Sequence, residues 1–307
     1  MSSVPALLAS PPPTAGWKRA ACPGCKKKCM FYCPFCCIVV GRPESAVVPA
    51  PRLPISFDII FKDQQAKSTG IHAKVLCPDD VRVVNFPDEL PDYDPDTTVI
   101  GYPSEQALTL WDMAPSELAT VRRVLLIDSA WKKSRGIVQH PKLRQLRHVK
   151  LHAPPRESMF WRYHGAGDGC VSTVEALRCF VMECDDIARR APGGAGGTAL
   201  SGAAQGEAGV PWLRRCADDA EQLLFFFALQ HQYIQERHQA DPAKRDKPLP
   251  MSGDAKRQRF EFREAAAKKE LPPREARSAP EVAAAPATAP PAASSGRCAK
   301  IIKRAID

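Results

Sequence analysis

No stretch of about 18 apolar residues occurs in this 307-residue chain, so no membrane-spanning helix is expected. The N-terminus, MSSVPALLASPPPTAGWKRA, lacks the positive start and long apolar run of a secretory signal. It also carries no acidic residue before Glu44, which leaves organellar import open. Twelve cysteines are too few to staple a chain of this length with disulfides. No G-x-G-x-x-G follows an apolar run, which argues against a Rossmann dinucleotide site, and no Lys-Ser/Thr pair follows the glycines, which removes a P-loop. These absences describe a soluble protein expected in the nucleus or cytoplasm.

Proline is abundant instead, at 30 residues gathered toward the two ends. Residues 1–20 are Pro/Ala-rich and expected to be disordered, as is most of a basic tail at 239–307. In that tail Lys244–Lys247 and Lys256–Arg259 form basic clusters that suit either a nuclear localisation signal or a solvated tail. The net charge of +9 is unevenly spread. Residues 51–121 hold five Lys/Arg against twelve acids, whereas residues 122–162 hold eleven against two, Asp128 and Glu157. A central run of cations suits a polyanionic partner or, equally, a solvated face.

Cys22-Pro-Gly-Cys25 and Cys33-Pro-Phe-Cys36 form a double CxxC within residues 21–50, read as a knuckle and linker. Four thiolates at this spacing can converge tetrahedrally on Zn²⁺, with no position left for water, so a structural metal is expected. Cys29 and Cys37 are extra thiols. Lys26, Lys27 and Lys28 fall between the pairs, where a phosphate backbone would meet them.

Residues 51–238 read as an α/β domain with a mainly parallel sheet, interrupted by a low-complexity loop at 191–209. Strands are expected at 55–61, 72–76, 81–85, 98–102, 121–127 and 147–152, and helices at 104–110, 116–121 and 217–237. Small polar groups follow several of these runs: Ser68 and Thr69, Pro103 and Ser104, Asp128 and Ser129, Ser172 and Thr173. In open α/β sheets ligands bind where such loops meet. Asp128 ends an apolar strand, where desolvation would suit it to work as a base; it equally suits the N-cap of the next helix. Ser172-Thr-Val-Glu175 has the form of a capping box. His72, His164 and Cys170 show no partner set for metal or nucleophile chemistry.

In combination, the four cysteines, LPISFDIIF at 53–61, KSTGIHAKVL at 67–76, IDSAW at 127–131, FWR at 160–162, VSTVEA at 171–176 and LLFFF at 223–227 resemble the DTW-domain proteins, closest to the eukaryotic type-1 tRNA-uridine aminocarboxypropyltransferases. The resemblance spans roughly residues 20–238. The family signature Asp-x-Thr-Trp stands here as Asp128-Ser129-Ala130-Trp131, with alanine in place of threonine. The resemblance implies a SPOUT-like knotted α/β fold with helices on both faces of the sheet. It also implies S-adenosylmethionine as donor and tRNA as acceptor, the 3-amino-3-carboxypropyl arm passing to uridine N3. On that footing Asp128 is the base, and Ser68, Thr69, Pro103, Leu126, Ile127, Ser129, Trp131, Ser172 and Thr173 hold the donor. Lys132, Lys133, Arg135 and Arg162 meet RNA phosphates, and Trp131 supports an extruded base. An RNA methyltransferase and a non-catalytic zinc-containing RNA-binding protein are the rival readings.

Overall fold

The computed structural model describes residues 5–62, 65–155, 158–160, 170–190, 210 and 212–241. Arg162, the segment at 191–209 and nearly all of the basic tail lie outside them. Of residues 1–20, expected to be disordered, the described part from 5 to 20 is largely exposed yet touches the core at Leu7, Leu8 and Trp17. Helix α1 (Ala6–Ala9) touches the C-terminal helices, and Trp17 is buried edge-on to Phe31 and Phe226. Trp17, with Leu7 and Leu8 packed on the same core, ties this proline-rich segment to the domain.

Two short antiparallel pairs follow. Strand β1 (Ala20–Ala21) pairs with β2 (Lys28–Cys29), and β3 (Tyr32–Cys33) pairs with β4 (Ile38–Val39). They carry the cysteines. The module is not an isolated bead, because Phe31 and Tyr32 belong to the main core.

That core flanks a five-stranded sheet of β5 (Ser56–Phe61), β6 (Val81–Asn85), β7 (Thr98–Gly101), β8 (Arg123–Asp128) and β9 (Arg147–Val149). The order is β6-β5-β8-β7-β9 and every pairing is parallel. Side chains alternate across it. Phe57, Ile59, Val99, Val124 and Leu126 face one cluster, while Ile60, Ile100 and Leu125 face a second. Helix α2 (Gly70–Leu76) and α5 (Thr173–Arg190), with α6 (Ala217–Gln222) and α7 (Phe225–Ala240), contribute to the first. Helix α4 (Trp131–Val138) covers the second, through Ile137 and Val138. The short α3 (Pro115–Thr120) precedes β8.

Three elements differ from the sequence reading. Residues 72–76, expected as a strand, lie in α2, because parallel neighbours β5 and β6 must be joined by a crossover and a helix supplies it. Residues 104–110 are not a helix: Leu108 bridges β9, its N–H donating to the His148 carbonyl and its own carbonyl accepting from Lys150. The helix expected over 217–237 breaks after Gln222, and Leu223 through Leu229 are all buried around the break. Among the described residues no helix is long and apolar enough to cross a membrane.

Candidate functional site

The cysteine module is built from two similar turns. The N–H of Lys26 donates to the Cys22 carbonyl, and that of Cys37 to the Cys33 carbonyl, both at 2.9 Å. Lys26 and Cys37 take positive φ, 62° and 53°, to close these loops. The Sγ atoms of Cys22, Cys25, Cys33 and Cys36 thereby lie within 4.8 Å of one another, and the cluster can hold a metal ion. The thiols crowd each other: bonds from Cys22 and Cys25 push the Cys36 thiol up to about 12. A cation resolves that crowding by taking all four as thiolates. Of the extra cysteines, Cys37 Sγ is directed to the Pro34 carbonyl, while Cys29 Sγ is directed to the Lys27 carbonyl and also lies within hydrogen-bonding reach of Cys33.

The second constellation lies at the carboxyl edge of the sheet. Strand β8 sits between β5 and β7, so the loops after all three strands converge there. Asp128, the last residue of β8, pairs in register with Phe61, and its Oδ2 accepts a 2.5 Å hydrogen bond from Ser68 Oγ. Ser68 Oγ in turn accepts from the Gly70 N–H at 3.0 Å. Gly70 packs closely here: a Cβ on it would stand 3.0 Å from the Asp128 carboxylate and from Ile59. Asp128 is not the N-cap of α4; Ala130 occupies that position and makes no side-chain cap. The adjoining Thr69 Oγ1 accepts from the Val174 N–H at the start of α5, joining the Ser68 loop to the Ser172 loop.

Beside Asp128 is a cavity of about 210 Å³. Gly101 at the end of β7 with Tyr102 and Pro103 after it, Leu126 and Ile127 of β8, Lys150 and Leu151 after β9, and Val171 and Thr173 at the start of α5 line it. A Cβ on Gly101 would meet Leu126 at 2.7 Å and Phe180 at 3.2 Å, so glycine keeps this cradle open. At the α5 terminus Ser172 Oγ is buried and has no hydrogen-bond partner among the described residues. Only half of the expected capping box is therefore made: the Ser172 N–H donates to Glu175, which also accepts from Ser158 Oγ and the Met159 N–H. An apolar pocket with an unpaired hydroxyl beside the start of an 18-residue helix suits a ligand with a flat apolar part and a carboxylate.

The structure thus places Pro103, Leu126, Ile127 and Thr173 around one cavity and Asp128 and Ser172 beside it. Ser68 and Thr69 do not line that cavity; they line a second one. Ser129 follows Asp128 directly, and Trp131 and Lys132 open α4, their side chains outside the described residues. Lys133 and Arg135 are exposed on α4. Sequence reasoning read Glu175 as the capping-box partner of Ser172 but not its bonds from Ser158 and Met159, and it missed the pins Gly70 and Gly101. It also missed Glu183, whose carboxylate accepts from the His152 N–H and is pushed up to about 7 by burial, backbone hydrogen bonds from His152 and Ala153 opposing. Nothing local marks them, since each is defined by a partner far along the chain.

The family profile described as DTW domain matches residues 30–235. Among curated relatives, the mouse (Mus musculus) tRNA-uridine aminocarboxypropyltransferase 1 is 28% identical, covering 54% of this chain and 68% of its own. The rat (Rattus norvegicus) protein of that name is 25% identical over 75% and 82%, and the human (Homo sapiens) one 27% identical over 54% and 68%. A solved structure described as the SAM-dependent rRNA:acp-transferase Tsr3 from Vulcanisaeta distributa shares 16% identity at a TM-score of 0.32, covering 70% of this chain and 99% of that one.

Proposed function

The chain belongs to the DTW domain family, and from that premise we propose that it is a tRNA-uridine aminocarboxypropyltransferase. The donor is S-adenosylmethionine and the product side is 5′-methylthioadenosine. The observation that carries this reading is the signature aspartate, Asp128, ending β8 next to a 210 Å³ cavity and bonded to the Ser68 hydroxyl. Relatives bearing that enzyme name support it.

The chemistry forms a bond from uridine N3 to the γ-carbon of the methionyl chain. The γ-carbon–sulfur bond breaks, and its electron pair neutralises the sulfonium. The residues supply what that exchange needs. Asp128 takes the N3 proton, and Ser68 orients the carboxylate by donating to one of its oxygens. Leu126, Ile127 and the backbone of Gly101 to Pro103 hold the flat adenine, while Ser172, Thr173 and the α5 terminus receive the carboxylate. Fixing both reactants supplies much of the remaining acceleration. Zn²⁺ in the four-cysteine cluster is structural, because a closed sulfur set leaves no open coordination position. Lys26 to Lys28, Lys133 and Arg135 are exposed cations suited to tRNA phosphates, and Lys132 and Arg162 complete that set in the sequence.

The test is transfer from S-adenosylmethionine labelled separately in its methyl and carboxypropyl positions to unmodified tRNA. Carboxypropyl label in RNA is expected. Methyl label alone makes the protein a methyltransferase, and tRNA binding without either label makes it a binding protein.

A further inference from the structure

Ser68 and Thr69 line a second cavity, of about 220 Å³, that the donor does not need. Its walls come from three distant parts of the chain: Phe31 and Tyr32 from the cysteine module, Ser68 and His72 from the loop and α2, Gln230 and Tyr233 from α7. The lining is aromatic. Phe31 meets Tyr233 edge-on at 5.4 Å, and Tyr32 meets His72 at 5.3 Å. It is also polar: Gln230 Nε2 donates to Tyr32 Oη at 2.7 Å, and Tyr32 Oη shares a 2.8 Å hydrogen bond with His72 Nε2.

Two observations point to a ligand. His72 is only 1% exposed, yet among the described residues its Nδ1 has no hydrogen-bond partner. A buried polar atom left unpaired loses its hydration with nothing in return, and a polar atom of an occupant would restore that bond. Ser68 also belongs to this cavity while its hydroxyl donates to Asp128, so an occupant rests against the residue that holds the base. Lys67, exposed, stands on the same lining.

Resting on the transfer reading above, we propose that this cavity receives the uracil ring of the acceptor nucleotide. The ring lies against Phe31 and Tyr233, its carbonyl oxygens meet the His72 and Gln230 side chains, and its N3 edge turns to Ser68 and Asp128. Lys67 takes the adjoining phosphate. An extruded base is read by stacking and by hydrogen bonds to its pairing edge, which is the chemistry these walls offer. The module that holds the metal therefore also forms one wall of the acceptor site, so the metal shapes that site without touching the reacting atoms.

The experiment uses the full chain with Gln230→Leu and, separately, Tyr233→Ala. The KM for tRNA is expected to rise about tenfold while S-adenosylmethionine binds as in the wild type by calorimetry. In parallel, tRNA transcribed with 4-thiouridine is photo-crosslinked to the wild-type protein and mapped by mass spectrometry. Crosslinks at Phe31, Tyr32 or Tyr233 support the assignment. Crosslinks confined to other regions, or variants that weaken S-adenosylmethionine and spare tRNA, overturn it. A wild-type protein that transfers no carboxypropyl group defeats the transfer reading alone, and the crosslink map still decides whether uracil occupies the cavity.

Discussion

The cysteine module and the carboxyl edge of the sheet both gather polar groups into one place, but from opposite distances along the chain. The four sulfurs come from fifteen consecutive residues, and two backbone turns bring them together. The edge draws on Ser68, Gly101, Asp128, Lys150 and Thr173, which meet only because β8 is inserted between β5 and β7. The contrast teaches that a metal knuckle is a local property of sequence, whereas a substrate cleft is a property of strand order. The two regions still share one core, through Phe31 and Tyr32.

The largest effect expected from this contrast is at the module. Cys22→Ser or Cys33→Ser should abolish metal retention, since structural zinc contributes on the order of 10 kcal/mol to folding of such sites. Metal analysis of the purified variants checks it, and unchanged stoichiometry refutes the cluster. Next is Asp128→Asn, which should lower kcat for carboxypropyl transfer by about 10²- to 10⁴-fold while metal content stays at the wild-type level. A variant that keeps full turnover removes Asp128 as the base, and one that loses metal erases the distinction between the regions.

A third measurement concerns Glu183, which holds the segment following β9 to α5 through the His152 N–H. Burial raises its folded-state value from 4.5 to about 7, so the stability it confers is complete below about pH 4.5 and is lost as pH rises through about 7. Chemical denaturation across that window should show a loss on the order of 2 kcal/mol that Glu183→Gln flattens. A slope unaffected by the substitution assigns the titration elsewhere. The smallest expected effect is at Ala130. It occupies the N-cap of α4 without a side-chain cap, at the position where the family signature has threonine. Ala130→Thr should therefore stabilise the protein by about 1 kcal/mol, read as a rise of about 2–4 °C in Tm. If turnover rises sharply with no change in Tm, the missing hydroxyl is catalytic rather than a cap.

Much of the fold was legible because β-branched runs separated by polar turns announce a buried parallel sheet: β6 has the expected bounds, and β5, β7 and β8 lie within a residue or two of theirs. The misreadings share one cause. Gly70 to Leu76 has residues suited to either strand or helix, and the need to cross from β5 to β6 chose helix. Leu108 was drawn out of a helical pattern by a backbone bridge to β9, and the N-terminal prolines were overruled by a buried Trp17. At the site, Asp128 was readable as the polar end of an apolar strand. The division of its neighbours between two cavities was not.

The amino-acid order alone determined the four-cysteine cluster, the α/β character and the identity of the aspartate at the strand end, because each follows from spacing or alternation within a few residues. Only the tertiary structure decided that Ser68 would hold Asp128, that Gly70 and Gly101 would be crowded by their neighbours, and that Tyr32, His72 and Gln230 would meet. Those contacts join segments separated by up to 198 residues. Their formation depends on strand insertion and core packing, and such long-range closure leaves no periodic trace in the local sequence.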